Sequence, residues 1–174
     1  IDKWIEGEVR PIAREHDQAD TYPHDLVEQM KDLGLFGAII SPEYGGLGLP
    51  SSTYAKIVIK VAGAWMAPSG IFNSHLIMAS AIERAGTAEQ KEEWLPKMAI
   101  GELRGGVALT EPNAGTDLQA IRTKAIKTNE GYRLNGTKTW ITNSLHGNCL
   151  MVLAKTDPEA DPRHKGMSAS ITKK

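Results

Sequence analysis

Apolar residues recur at three- and four-residue intervals through positions 1–101, then give way to short runs of Thr, Val, Ile and aromatics separated by turn residues. Ile5, Val9 and Ile12 mark one helical face, and Leu26, Met30 and Leu33 mark another. The polar stretch Asp17–Pro23 divides these two helices, and Gly34 suits a C-cap. Residues 41–50 carry Pro42, Gly45, Gly46, Gly48 and Pro50, too many interruptions for regular structure. Ser51 or Ser52 can cap a third helix with Ile57, Val58, Val61 and Ala62 facing inward. Ala67-Pro68-Ser69-Gly70 should break that run, and Ile71–Arg84 reads as a helix buried on most sides. Thr87-Ala88-Glu89-Gln90 is a capping box opening a helix that buries Trp94, Leu95 and Met98 and stops at Gly101.

Beyond that glycine the period shortens. Strands are expected at Arg104–Leu109, Arg122–Thr128, Gly131–Asn135, Thr137–Asn143 and Cys149–Thr156. Asn135-Gly136 between two of them is a two-residue hairpin signal, preferred here to the glycosylation sequon it forms with Thr137. Asp157–Lys165, with two prolines and mixed charge, is an exposed loop. The expected class is α+β: an all-helical domain over 1–102 followed by a small antiparallel β-domain over 103–174.

Composition removes several function classes. Twenty Lys and Arg nearly cancel 21 Asp and Glu, so no basic surplus draws nucleic acid. No apolar run approaches the roughly 18 residues needed to cross a bilayer. Ile1-Asp2-Lys3-Trp4 lacks the layout of a secretion signal and an initiator Met, and begins inside a helical pattern, as a processed product, an expressed fragment or the ordered part of something longer would. Cys149 is the single cysteine, which suits a reducing compartment, and its apolar neighbours favour a small buried hydrophobe over a nucleophile. His16, His24, His75, His146 and His164 show no paired spacing, so no metal site is expected; His75, on the apolar helix, reads as a satisfied core residue.

Two stretches carry candidate chemistry. In Thr110–Asp117, Pro112 fixes its φ and Gly115 permits a positive one, so the turn can aim successive backbone N–H groups into an anion-binding concavity. Thr110 and Thr116 add hydroxyls, and Asp117 can cap the following helical turn. An ordinary surface turn would read the same, so this stretch alone decides nothing. If 137–143 is a strand, Trp140 and Thr142 share a face, placing an apolar plane beside a hydroxyl, the pair that holds a flat heteroaromatic ring. A Trp in a sheet core beside an edge Thr is the competing reading. Turn and strand together favour a planar, phosphate-bearing cofactor.

Ala108–Ala120 is similar to the flavin-site signature of the acyl-CoA dehydrogenase family, and Lys138–Asn143 resembles that family's second flavin segment at the usual distance. Pro42–Gly48, Ala85–Lys91 and Lys165–Ala169 agree, so the resemblance spans essentially the whole chain. It implies a helical N-terminal domain, a β-barrel-like middle domain, and FAD contacted by Val107, Leu109, Thr110, Gly115, Thr116, Trp140, Ile141 and Thr142. Thr110 would bond the pyrimidine side of the flavin, Thr142 would sit near N5, and Thr116 would reach both the pyrophosphate and the CoA thioester. The family usually has Ser at the last position; Thr keeps the hydroxyl and adds a methyl. The acyl chain would lie toward Gly70, Asn73 and Ile77, spaced to share one helical face, with simple helix packing the rival reading for Ile77. No Arg accompanies them, which argues against a dicarboxylic acyl group.

The implied reaction is α,β-dehydrogenation of an acyl-CoA, hydride passing to flavin N5 and electrons onward to an electron-transfer flavoprotein, in a homotetramer or homodimer of the bacterial cytosol or mitochondrial matrix. The family's base is a Glu in a C-terminal helical bundle that these 174 residues do not include. Glu111 belongs to the flavin turn and is not promoted to that role, so the chain holds no catalytic residue by this reading. Rivals are an acyl-CoA oxidase or flavin monooxygenase of the same superfamily, and a non-catalytic or heteromeric truncated relative.

Overall fold

The computed structural model describes residues 1–173, which form two compact units, Ile1–Arg104 and a second beginning at Gly105. The first is helical: α1 (Asp2–Trp4), a π-helical turn (Ile5–Val9), α2 (Arg10–Ala19), α3 (His24–Asp32), α4 (Ser51–Ala64), α5 (Met66–Ala85) and α6 (Ala88–Ala99). The π turn has a local cause. Pro11 lacks an N–H and its ring crowds the carbonyl four residues back; the widened turn, closed by Arg10 N–H donating to Ile5 O, accommodates it.

Ile5, Val9, Leu26, Met30, Trp94, Leu95 and Met98 are buried as the periodicity implied. Leu33 is not: α3 ends at Asp32, Gly34 turns left-handed (φ +70°), and Val27 takes an inward place instead. Neither serine caps α4, because Pro50 is the N-cap and Ser51 is already helical. Of its expected inward residues only Val61 is fully buried; Ile57, Val58 and Ala62 are half-buried. The break before α5 falls at Trp65, whose backbone is extended (φ −159°, ψ 125°), rather than at 67–70. Pro68 lies in the first turn of α5, where N–H groups lack intrahelical acceptors anyway.

The glycine-rich 41–50 segment is irregular apart from one 3-10 turn (Pro42–Tyr44). It folds back so that Leu47 N–H bonds Gly37 O (2.8 Å) and Gly48 N–H bonds Ile40 O (2.9 Å). Gly46 is required there, since a Cβ would meet the Ile40 carbonyl. The capping box of α6 is complete, with Thr87 Oγ1 accepting from Gln90 N–H and Gln90 Oε1 accepting from Thr87 N–H. His75 is fully buried and its Nε2–H lies 3.1 Å from both Phe36 O and Met98 O, joining α5 to α6 and to the 3-10 turn Leu35–Gly37.

The second unit is one curled five-stranded sheet: β1 (Val107–Ala108), β2 (Lys124–Thr128), β3 (Gly131–Asn135), β4 (Cys149–Lys155) and β5 (Met167–Lys173). β2 pairs antiparallel with β3, and β4 with β5, whereas β4 runs parallel to both β1 and β2, so the sheet is mixed. β1 is much shorter than the expected 104–109, and β5 was not expected. Its residues Met167-Ser168-Ala169-Ser170 carry little β-propensity, so pairing with β4 supplies what the local sequence does not. Asn135-Gly136 is no hairpin turn; the β2–β3 reversal lies at Asn129-Glu130. Gly136 instead answers a close approach, because a Cβ would come within 2.6 Å of Thr123 Cα. Cys149 is fully buried in β4, where burial pushes its thiol up to about 11.

Candidate functional site

The turn after β1 is closed by a two-way backbone pair: Glu111 N–H to Ala114 O (2.8 Å) and Ala114 N–H to Glu111 O (3.1 Å). Because Pro112-Asn113 makes the reversal, Gly115 needs no positive φ, contrary to expectation, and nothing lies within 4 Å of where its Cβ would be. Asp117 caps the 3-10 turn Leu118–Ala120 by accepting from Gln119 N–H, as expected. Between these two bonded ends, the successive N–H groups of Gly115, Thr116 and Asp117 find no acceptor among the described residues. All three residues are exposed, so the donors are open to an anion.

Residues 137–143 are not a strand. They form an irregular segment ending in a turn, in which Trp140 (φ +58°) and Asn143 (φ +66°) are both left-handed. Alternation across a strand therefore does not explain the placement of Trp140 and Thr142; the loop's anchors do. Thr139 N–H donates to Thr110 O (3.0 Å), Lys138 Nζ donates to Leu109 O (2.8 Å) and to Glu111 Oε1 (2.9 Å), and Asn143 Nδ2 donates to Gly105 O (2.7 Å). So 138–139 and 143 are tied to the chain on either side of β1, and the intervening residues are held out. Trp140 is 89% exposed, Thr142 is exposed and Ile141 is half-buried. A bulky residue at positive φ is uncommon and costs of the order of 1 kcal/mol or more, which the flanking bonds sustain.

The ion pair beneath this loop was not anticipated. Glu111 is buried and accepts from Arg122 N–H (2.6 Å), Thr123 N–H (3.0 Å) and the Lys138 ammonium. Burial pushes the Glu111 carboxyl up, but those bonds outweigh it and hold the group at about 2. The Thr123 hydroxyl is also close, yet its Oγ1 has no partner of ordinary hydrogen-bond geometry, so the N–H and Nζ donors carry the effect. A carboxylate so acidic and so fully bonded is a poor proton acceptor. Lys138 and Asn143 lie inside the second motif, but nothing in their spacing announced an anchoring role.

Val107 stands in β1 opposite Met151, and Leu109 and Thr110 follow it as half-buried residues whose carbonyls receive the loop's donors. Gly70, Asn73 and Ile77 lie on α5 in the helical unit. Gly70 and Asn73 are half-buried and Ile77 is 52% exposed, so none of the three is fully buried in the helical unit. Asn73 has the partner a half-buried amide requires: Tyr54 OH donates to its Oδ1 at 2.6 Å.

Residues 1–102 match the family profile described as acyl-CoA dehydrogenase, N-terminal domain, and residues 106–174 match acyl-CoA dehydrogenase, middle domain. The chain belongs to the acyl-CoA dehydrogenase family. It is 39% identical to an acryloyl-CoA reductase (NADH) of Anaerotignum propionicum over 99% of this chain and 44% of that protein. An acyl-CoA dehydrogenase structure from Geobacillus kaustophilus superposes with a TM-score of 0.91 at 34% identity, covering 98% of this chain and 45% of that one. A chain from the structural work on the electron transferring flavoprotein of Acidaminococcus fermentans, which concerns flavin-based electron bifurcation, superposes at 0.92 with 32% identity, covering 99% and 45%. The chain thus spans less than half the length of the relatives it matches.

The β-unit of this family member has features that suit FAD on its own geometry. An outward indole offers a plane for a tricyclic ring, three successive N–H groups suit a pyrophosphate, and Gly115 leaves the backbone unshielded where a Cβ would stand. Thr116 and Thr142 present exposed hydroxyls at the two segments. Among the described residues no group of three or more His, Cys, Asp or Glu is placed to hold a metal ion. No described helix is long and apolar enough to cross a membrane.

Proposed function

We propose that the protein catalyses FAD-dependent α,β-dehydrogenation of an acyl-CoA thioester, and that this chain supplies the flavin seat and part of the acyl pocket but not the base. The observation that carries this reading is the tether between 109–111 and 138–139, which brings both candidate flavin segments to one place and leaves an indole facing outward. Val107, Leu109, Thr110, Gly115 and Thr116 would line one segment of the seat, and Trp140, Ile141 and Thr142 the other. The chemistry FAD supplies when bound is acceptance of the hydride leaving the thioester's β-carbon.

Trp140 orients the ring by its apolar plane and excludes water from one side. The Thr142 hydroxyl would donate toward the flavin N5, and Thr110 would bond its pyrimidine side. The open N–H run at 115–117 and the Thr116 hydroxyl hold the pyrophosphate, with Thr116 also reaching the thioester. Gly70, Asn73 and Ile77 receive the acyl chain. The α-proton is taken by a carboxylate from a part of the protein beyond these residues; Glu111, at about 2, does not serve. An electron-transfer flavoprotein would be the redox partner, in a homo-oligomer of the bacterial cytosol or mitochondrial matrix.

The full-length protein tests this directly. It should be yellow and bleach anaerobically with short acyl-CoA thioesters, then recover faster with electron-transfer flavoprotein than with air. Fast recovery in air alone would favour the oxidase or monooxygenase reading, and a colourless protein that FAD does not stabilise would favour a non-catalytic relative. Bleaching by NADH with reoxidation by an enoyl-CoA would set the direction as reduction, that of the Anaerotignum propionicum relative.

A further inference from the structure

Helix α5 buries Ile71, Phe72, His75, Leu76, Met78, Ala79 and Ile82 but leaves a second stripe unpacked. Met66, Gly70, Asn73 and Ile77 follow at intervals of four, three and four and so share one face. Met66 is 74% exposed and Ile77 52%, and a Cβ on Gly70 would meet nothing within 4 Å. The stripe is apolar except for one carboxamide in its middle.

That carboxamide is oriented from outside the stripe. Tyr54, on α4, donates its hydroxyl to Asn73 Oδ1 at 2.6 Å, and its ring meets Phe72 edge-on with centroids 6.2 Å apart. Partial burial pushes the Tyr54 phenol up to about 12, so it remains a donor throughout the working range. With Oδ1 committed, Nδ2 keeps both hydrogens, and no described residue accepts either. The stripe holds no Lys or Arg to balance a charged ligand.

We propose, resting on the dehydrogenase reading, that Tyr54 is a positioning residue that fixes Asn73 so that its amide N–H groups select short acyl-CoA thioesters carrying a neutral oxygen acceptor, a keto, ether or hydroxyl group, on the acyl chain. A hydrocarbon chain laid over Nδ2 strands two donors without water, whereas an oxygen at that point satisfies one. The asymmetry of an unmade buried hydrogen bond corresponds to roughly ten- to hundredfold discrimination.

The test uses the full-length, FAD-loaded enzyme with hexanoyl-CoA and its 5-oxo and 5-oxa counterparts, assayed for flavin bleaching and steady-state turnover. The wild type should favour the oxygen-bearing thioesters in kcat/KM by at least tenfold. Asn73→Leu should reverse that order. Tyr54→Phe should raise KM for the oxygen-bearing pair several-fold more than for hexanoyl-CoA, with the change in KM rather than kcat. Equal kcat/KM for all three in the wild type, an unchanged preference in Asn73→Leu, or a uniform loss in Tyr54→Phe would each overturn the inference while leaving the dehydrogenase reading intact. Absence of bleaching by any acyl-CoA would sink both. Should Tyr54→Phe fail to fold, the reversal in Asn73→Leu still decides.

Discussion

The Lys138 ammonium lies 2.9 Å from the Glu111 carboxylate and 2.8 Å from the Leu109 carbonyl, with both ion-pair partners nearly shielded from water. One side chain thereby bridges the turn after β1 and the loop that presents Trp140. Removing it strands a buried carboxylate, so Lys138→Met should lower unfolding stability by about 3 kcal/mol. The same change should weaken FAD retention, because the loop loses an anchor. Lys138→Met combined with Glu111→Gln should be less damaging than the sum of the single changes, since the stranded charge is gone. Glu111 also sets an acid limit. Its folded value of about 2 lies below its ordinary 4.5, so its contribution is complete above about 4.5 and is lost as pH falls toward 2. Denaturant titrations across that window should show the loss in the wild type and not in Glu111→Gln.

Trp140 combines a positive φ of 58° with near-complete exposure, so its indole contributes little packing in return for its backbone strain. Trp140→Gly should leave stability unchanged or raise it by up to about 1 kcal/mol. Flavin retention should fall in the same variant. Thermal melts with and without added FAD separate the two effects: a stability loss in the absence of FAD would show that the indole packs on the protein rather than on a ligand.

Gly115 and Gly136 make a matched pair of tests. Alanine at 136 would drive its Cβ against Thr123, so Gly136→Ala should destabilise the sheet unit by about 1–3 kcal/mol. Alanine at 115 meets open space at an ordinary φ, so its stability should be that of the wild type. If the backbone at 115 approaches a pyrophosphate, Gly115→Ala should instead weaken FAD binding, read from flavin release by gel filtration. Intact binding would remove this glycine from the seat.

The helical half was legible because its burial is periodic: Ile5, Val9, Leu26, Met30, Trp94, Leu95 and Met98 are each fixed by local spacing. The Thr87–Gln90 box is equally local, and both its bonds form. The sheet half was less so. β5 is held by its partner β4, which periodicity does not see. Lys138–Asn143 has strand composition, yet its backbone obeys anchors at Gly105, Leu109, Thr110 and Glu111, about thirty residues away or more in sequence. The motif residues were thus found by type, while the reason they stand where they do lies in nonlocal hydrogen bonds. Gly136 shows the same limit: its dipeptide signalled a turn, whereas a distant threonine dictates the residue.

His75 gives the helical unit its own pH dependence. Burial pushes the imidazole down to about 4 from 6.5, although its bonds to Phe36 O and Met98 O favour the charged form. In the unfolded chain the ring takes up a proton near 6.5, so between that pH and about 4 the unfolded state binds more protons than the folded one. Stability from this group is therefore complete above about 6.5 and falls on acidification, by up to about 3 kcal/mol at pH 4. His75→Gln can still donate to a carbonyl but does not titrate. It should start less stable at neutral pH, because one amide does not reproduce the ring's fit against Phe36, at a centroid distance of 5.1 Å. Its stability should then stay level from pH 6.5 to 5, where the wild type declines. Parallel slopes for the two proteins would show that His75 is not the group that titrates.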